Sequence, residues 1–233
     1  AKTLVLAILA GAFIAFGGMF YTVAVTETGL GFGPTRLLGG AAFSLGLVLV
    51  VIAGAELFTG NNLIVMAWAS RHVGTGRLLR NWGLVYLGNL AGAAATAVFV
   101  FGSGVLDAGE GAVAATARGI AAAKVQLPFW EAFLRGMLCN TLVCLAVWLC
   151  VAAHSVSGKI LAILFPITAF VALGFEHSVA NMYLIPVGAF AGAEGVTVAA
   201  AVGNLVPVTL GNIVGGSLLV ALVYWIAYLR PDD

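Results

Sequence analysis

The chain alternates between long runs of apolar residues and short polar stretches, and six of the runs are long enough to cross a lipid bilayer. A transmembrane helix needs roughly 20 mainly apolar residues. Each of the six runs meets this length, and most charged residues lie between them. The pattern therefore predicts an all-α integral membrane protein with six transmembrane spans, at residues 4–25, 37–68, 82–101, 129–152, 160–190 and 201–228.

Two of the predicted spans carry polar residues near their centres. Glu176 and His177 stand inside the fifth apolar run, and Glu56 stands inside the second. Ionisable side chains are costly at membrane depth and usually face a cavity or a partner. A span that is too long for one crossing and polar at its centre is typical of a broken helix beside a pathway. We therefore predict helix breaks at residues 58–60 and 174–178.

The same polar pattern occurs twice, which indicates an internal repeat. Each break carries an acid and, five residues later, an asparagine; a Gly-Asn motif then follows, with its asparagine 33 residues after the first acid and 36 after the second. The six repeated residues are Glu56, Asn61, Asn89, Glu176, Asn181 and Asn212. Three spans per repeat would give the two halves opposite orientations in the membrane. We expect one transmembrane domain, with inverted repeats at about residues 1–102 and 128–230 and a linker at 103–127.

Composition narrows the possible functions. The chain has 233 residues, of which 62% are hydrophobic and 8% charged, whereas soluble domains have roughly 25% charged residues. A net charge of +1 offers no basic surface for nucleic acid. The three cysteines share one apolar span without metal-site partners, so we expect them to be packing residues and predict no disulfide, metal or cofactor. No nucleophile, base and orienting group occur together, which argues against an enzyme.

The Lys and Arg residues near the span ends predict the orientation. With the N-terminus inside, six basic residues lie on the inner side and four on the outer side. We therefore expect both termini in the cytoplasm and a multi-pass protein of the cell (inner) membrane. The inner set is Lys2, Arg71, Arg77, Arg80, Lys159 and Arg230. The outer set is Arg36, Arg118, Lys124 and Arg135.

Four motifs in the chain resemble signatures of the formate/nitrite transporter family. They lie at residues 55–61, 139–148, 175–182 and 204–213. The resemblance extends over nearly the whole chain. It implies an aquaporin-like fold of six transmembrane helices with helices 2 and 5 broken, a homopentamer surrounded by membrane lipid, and one pore in each protomer.

The resemblance also implies which residues line the pore. The substrate pathway would include a central histidine, a threonine in the first break, a lysine in the outer vestibule and an asparagine in the fourth span. These are His177, Thr59, Lys124 and Asn140. Two apolar constrictions would lie on either side of the histidine. Their residues would be Phe43, Leu47, Leu57, Phe58, Val143 and Phe170.

Each of these residues also has a structural interpretation. A lone histidine is more often part of a core, Thr59 could cap the following half-helix, and Lys124 could be an ordinary loop lysine. Acids lining a pore would repel anions, so we expect the two acids of the repeat to accept backbone N–H groups at the breaks. We expect the Gly-Asn asparagines to satisfy freed backbone groups by the same logic. Glu131 and Arg135, spaced i and i+4, should pair.

The function that combines these features is a channel-like transporter for small monovalent anions, with formate as the expected substrate. A bare anion loses its hydration in an apolar constriction, at an idealised cost on the order of tens of kcal/mol, whereas a neutral acid loses far less. We therefore expect proton-coupled or protonation-assisted passage. Lys124 would draw anions in by its charge, and His177, or water beside it, would supply the proton.

Other substrates stay open at this point. The resemblance allows nitrite, hydrosulfide, lactate or acetate in place of formate, and Pro207 favours formate only weakly. A facilitator of neutral solutes of aquaporin type is a more distant alternative, and the chain lacks paired Asn-Pro-Ala motifs. A membrane enzyme that uses Glu176 and His177 is a third hypothesis, against which the missing catalytic partners argue.

Overall fold

The computed structural model describes residues 1–230, and these residues form helices joined by turns. The α-helices are α1 (Lys2–Val25), α2 (Phe32–Ala53), α3 (Val65–Ala69), α4 (Thr75–Gly102), α5 (Ala112–Val125), α6 (Phe129–Ala152), α7 (Val156–Ala172), α8 (Ser178–Phe190), α9 (Val198–Val214) and α10 (Val223–Tyr228). Two 3₁₀ turns precede α3 and α5, at Gly60–Ile64 and Val105–Asp107. A π-helical segment, Gly215–Leu222, joins α9 to α10.

Five of the helical segments in the described part of the chain are long and apolar enough to cross a membrane. They are α1, α2, α4, α6 and the continuous stretch Val198–Tyr228, with mean hydropathy between 1.8 and 2.2. The apolar helices α7 and α8 are shorter. Large apolar side chains such as Phe99, Val151 and Phe165 are about three-quarters exposed on the outside, as expected of a lipid-facing surface. The chain is therefore an integral membrane protein.

The two helix breaks lie inside the predicted spans. The second break runs from the end of α7 to the start of α8 and contains Gly174 at φ +74°, which confirms the prediction for residues 174–178. The first break was predicted at residues 58–60. It includes residues 58 and 59, but it begins before them. Helix α2 ends at Ala53, and Gly54 takes φ +81°. Because side chains rarely adopt this left-handed region, a glycine ends the helix there.

The predicted linker at residues 103–127 contains a helix, α5. Ala117 and Ala121 of this helix are buried, and α5 lies so close to α8 that a methyl group added at Gly188 would meet both alanines. Alanine is the best helix former, and alanine is the main residue type of this stretch. The segment is too polar to resemble a membrane span, which is why the apolar pattern did not predict a helix there.

Several helices begin before the apolar runs that predicted them. Helix α2 starts at Phe32, with Pro34 in its first turn, where proline is tolerated. Helix α4 starts at Thr75 rather than at residue 82. The side chains of Ser155 and Thr197 accept backbone N–H groups and cap α7 and α9. Polar first turns thus extend the helices beyond their apolar cores, whereas α6 covers the predicted residues 129–152.

Glycines set the separation between two pairs of spans. A methyl group added at Gly92 of α4 would overlap the carbonyl oxygen of Ile8 in α1. A methyl group added at Gly215, after α9, would overlap the carbonyl oxygen of Met137 in α6. Small residues let helix backbones approach closely in membranes, where association depends on packing. In both the α1–α4 and the α6–α9 contact, a glycine therefore lets one helix backbone approach the other closely.

The Gly92→Ala substitution should destabilise the protein, since the backbones of α1 and α4 would have to move apart. We expect a loss of about 1–3 kcal/mol and a thermal unfolding midpoint lower by several degrees in detergent. Gly83→Ala on the same helix is the matched control, because an added methyl group there meets no atom within 4 Å. If both variants unfold at the wild-type temperature, the close approach of the helices does not depend on Gly92.

Candidate functional site

The first helix break is held by a single buried asparagine. Asn89 of α4 accepts a hydrogen bond from the Phe58 backbone N–H at 2.9 Å. Its side-chain amide donates to the carbonyl oxygens of Ala7 at 2.7 Å and Glu56 at 2.9 Å. Backbone groups freed by a break need partners when they are buried. Asn89, which is fully buried, pairs two of these backbone groups, and its bond to Ala7 ties the break to α1.

The second break has the same arrangement. Asn212 of α9 accepts from the Ser178 backbone N–H at 2.9 Å. Its amide donates to the carbonyl oxygens of Gly136 at 2.8 Å and Glu176 at 3.0 Å. The two asparagines therefore make the same bonds to the same kinds of backbone group, and both lie where the sequence repeat predicts partners for the breaks.

The two repeated acids bind side chains rather than the backbone N–H groups that we expected. The amide of Asn61 donates to Glu56 at 2.7 Å, and the amide of Asn181 donates to Glu176 at 2.6 Å. The freed backbone N–H groups of Phe58 and Ser178 are already bonded to the Gly-Asn asparagines. The carboxylates are thus left to hold the first turns of the helical segments after the breaks.

Two further asparagines complete these networks and were not predicted. Asn61 also donates to Asn81 at 3.0 Å, and Asn181 donates to Asn204 at 2.7 Å. Asn81 stands eight residues before the asparagine of the first Gly-Asn motif, and Asn204 eight residues before that of the second. This common spacing is the signal in the sequence that would have identified both.

The second break differs from the first by carrying an ion pair. Lys124, next to the end of α5, lies 2.9 Å from the carboxylate of Glu176. The side chains are 14% and 6% exposed, so the pair is largely removed from solvent. The carbonyl oxygen of Lys124 also accepts from the Asn204 amide at 2.8 Å. The ammonium group thus neutralises the Glu176 carboxylate, since a buried charge without a partner is strongly unfavourable.

His177 and Thr59 join the two breaks to each other. The Nε2 atom of His177 lies 2.9 Å from the Thr59 hydroxyl oxygen, and both side chains are buried. The Nδ1 atom accepts from the Ala180 backbone N–H at 3.1 Å and so caps α8. In the neutral imidazole, Nδ1 is therefore the unprotonated nitrogen, and Nε2–H donates to Thr59. The hydrogen of the Thr59 hydroxyl is left for another acceptor.

Two cavities approach this pair. One has a volume of about 430 Å³ and reaches Phe43, Phe170 and His177. The other has a volume of about 230 Å³ and reaches Leu47 and Leu57. Phe43 lines the first cavity and Leu47 lines the second, and these residues are one turn, about 6 Å, apart along α2. His177 lines the first cavity, whereas Thr59 lines neither.

Four of the six predicted constriction residues line these cavities, and two do not. The ring of Phe58 packs against Tyr86 and Trp82, with ring centroids 5.0 and 6.3 Å away. Val143 is buried in α6. Neither residue is among those that line the two cavities.

Asn140, which we expected in the substrate pathway, also lies behind the cavity walls. Its amide donates to the carbonyl oxygen of Asn212 at 2.6 Å and contacts the carbonyl oxygen of Thr59 at 3.3 Å. A third contact, at 3.2 Å, joins it to the side chain of Asn62. Asn140 therefore links the two breaks from the side, and Cys144 contacts the same Thr59 carbonyl at 3.3 Å.

The larger cavity is lined by basic groups. Arg36, Lys124 and Arg135 line it together with Glu176. The three basic residues belong to the set that the sequence placed on one side of the membrane, and the structure brings them into one space. The expected pair of Arg135 and Glu131 is present at 3.1 Å. Within residues 1–230, no group of three His, Cys, Asp or Glu side chains is placed to hold a metal ion.

Comparison with known proteins gives consistent matches. A family model described as formate/nitrite transporter matches residues 1–226. A probable formate transporter of Methanothermobacter thermautotrophicus is 47% identical over 98% of this chain and 89% of its own length. The formate channel FocA of Escherichia coli K12 is 43% identical over 100% of this chain and 88% of its own.

Solved structures agree with the sequence matches. A structure described as a pentameric formate channel with formate bound superposes with a TM-score of 0.91 at 40% identity, covering 98% of this chain and 97% of the other. A structure described as an FNT family ion channel gives a TM-score of 0.89 at 33% identity, covering 99% and 90%.

Replacing Asn212 by alanine should destabilise the protein strongly, because two buried backbone groups of the break lose their partner. The hydrogen bond that ties the break to α6 is lost as well. Each unpaired group costs about 1–3 kcal/mol, and Asn89→Ala should cost a similar amount at the first break. Ser217→Ala is the control, since the Ser217 hydroxyl has no partner within the described residues. Thermal unfolding in detergent measures the effect, and an Asn212→Ala protein as stable as the control would contradict it.

Proposed function

Since the chain belongs to the formate/nitrite transporter family, we propose that it conducts small monovalent anions, formate first, through a pore in each protomer of a homopentamer. Members of this family are channels or transporters, and the chain is accordingly not an enzyme. The observation that carries the proposal is the buried His177–Thr59 pair, and we propose that the pore has an apolar narrowing beside this pair, between the two cavities. Relatives named as formate channels favour formate over nitrite, hydrosulfide, lactate or acetate.

The proposed topology has six membrane crossings in two inverted repeats, as in the aquaporin-like fold. Each repeat contributes one broken helix, and the second segments of the two broken helices begin near the narrowing. The matching bonds of Asn89 and Asn212 support this symmetry. The excess of Lys and Arg on the inner side supports cytoplasmic termini and a location in the cell (inner) membrane.

The charges around the narrowing favour anions over cations. Glu176, which lines the larger cavity, is neutralised by Lys124, and Glu56 lines neither cavity. Helix α8 begins beside His177, and a helix N-terminus carries a partial positive charge. An anion that reaches the narrowing therefore meets a positive helix end and two hydrogen-bonding side chains, without an unpaired carboxylate.

We propose that a proton accompanies the anion through the narrowing. The walls on both sides of His177 and Thr59 are apolar, and a bare anion would lose its water there at high cost. A neutral acid crosses at far lower cost. The imidazole described above is neutral, so the proton has to come from solution. It can reach the anion through His177, which would take it up before passing it on, or through water in contact with His177. Thr59 can donate a hydrogen bond to the substrate while it accepts one from Nε2.

Proteoliposomes that contain the purified protein should take up formate much faster than protein-free liposomes. A panel with nitrite, hydrosulfide, lactate, acetate and glycerol should place formate first and leave glycerol at the level of the protein-free control, because an uncharged polyol gains nothing from the basic cavity. Fast glycerol uptake without formate uptake would instead identify a facilitator of neutral solutes.

Formate uptake that includes a proton is electroneutral, so its rate should rise as the outside pH falls and should not change with an imposed membrane potential. Stopped-flow uptake at clamped potential measures both dependences. A rate that follows the potential and ignores pH would contradict proton-coupled passage.

The variant His177→Asn then locates the proton donor. Asparagine is a preferred N-cap residue, so the cap of α8 is retained while the exchangeable proton of the imidazole is lost. If the pH dependence disappears in this variant, the imidazole is the donor. If the pH dependence is retained, the proton comes from water beside the side chain.

A further inference from the structure

Arg36 is held in a fixed position at the wall of the larger cavity. Its Nε–H donates to the carbonyl oxygen of Ala172 at 2.8 Å, at the end of α7. Its guanidinium carbon lies 5.5 Å from the centre of the Phe32 ring. These two contacts place the guanidinium group between the end of α7 and the Phe32 ring. The four N–H groups on the two Nη atoms have no hydrogen-bond partner within residues 1–230.

The second break leaves room for this guanidinium group. A methyl group added at Gly174 would lie 2.7 Å from an Nη atom of Arg36, which is closer than real contacts allow. Gly174 also takes φ +74°, a conformation that side chains rarely adopt. The glycine therefore permits the turn of the break and the close approach of the arginine at the same position.

Of the three basic side chains that line the larger cavity, two are paired with carboxylates and Arg36 is not. Lys124 is paired with Glu176 at 2.9 Å, and Arg135 is paired with Glu131 at 3.1 Å. No carboxylate of the described residues lies within 4 Å of the Arg36 guanidinium. The larger cavity therefore contains one cation without an acidic partner, and this cation is Arg36 rather than Lys124.

We propose that Arg36 is the residue that binds the anion in the larger cavity before it reaches the narrowing, and that it prefers planar anions with two oxygen atoms. The guanidinium group presents N–H donors in a planar fork that matches the two oxygens of a carboxylate. Formate and nitrite each have two oxygen atoms bonded to one central atom and can accept two parallel hydrogen bonds. Hydrosulfide has a single sulfur atom and cannot accept from both sides of the fork in this way. The inference rests on the proposed function.

Uptake kinetics of two variants test this assignment. Arg36→Gln removes the charge and keeps a donor for the Ala172 carbonyl oxygen, and Arg36→Lys keeps the charge but removes the fork. Arg118→Gln is the matched control. Arg118 also donates to a carbonyl oxygen at a helix end, that of Ala191 after α8, but it does not line the cavity. Uptake is measured for formate and hydrosulfide at low and high salt.

We expect Arg36→Gln to raise the half-saturating concentration of formate about fivefold, the effect of an ion pair accessible to solvent, and to reduce the salt dependence of uptake. Arg36→Lys should raise this concentration for formate but leave it near the wild-type value for hydrosulfide. The Arg118→Gln protein should match the wild type for both anions. Arg36→Lys keeps the charge at this position, so it remains informative if Arg36→Gln does not assemble.

The inference is overturned if both Arg36 variants have the same half-saturating concentration of formate as the Arg118→Gln protein. Equal losses for formate and hydrosulfide in Arg36→Lys would overturn the preference for two oxygen atoms. These outcomes differ from failure of the proposed function, in which the wild-type protein itself takes up formate no faster than protein-free liposomes.

Discussion

The structure depends on one constraint of the membrane environment: a backbone polar group that leaves a helix must find a partner inside the protein. Each break removes several N–H and C=O groups from their helical partners at the depth where water is scarce. Asn89 and Asn212 each pair one N–H and one C=O of a break and add a bond to a carbonyl oxygen of a neighbouring helix. With the backbone satisfied in this way, the two breaks can lie beside each other and bring the imidazole of one within hydrogen-bonding distance of the hydroxyl of the other.

The parts that repeat were predictable from the sequence. The two breaks and the Gly-Asn pairs could be recognised because the same spacing occurs in both halves. The six apolar runs and the position of α6 followed from hydropathy, and the second break followed from its central polar residues. The partners of the acids were not predictable in the same way. A carboxylate at a break can accept from the backbone or from a nearby amide, and the choice depends on which donors Asn89 and Asn212 have already taken.

Other features were beyond the sequence pattern for separate reasons. The helix α5 consists of alanines with several polar residues, so its hydropathy does not distinguish it from a loop, although it packs on α8. The direction of Phe58 was also not predictable. The residues next to a break follow neither a helical nor a strand period, so the face on which Phe58 lies is set by Tyr86 and Trp82 of a different helix.

Helix α8 has a consequence for how the membrane itself can act on the protein. Every residue from Glu176 to Ile185 is buried, so the first turns of this helix face protein and the larger cavity rather than acyl chains. A bilayer thicker or thinner than the hydrophobic length of the protein acts on the lipid-facing helices through mismatch, at a modest cost per ångström. The helix that carries the histidine is shielded from this strain by the ring of helices around it. Its position is therefore set by protein contacts, whichever lipids surround the molecule.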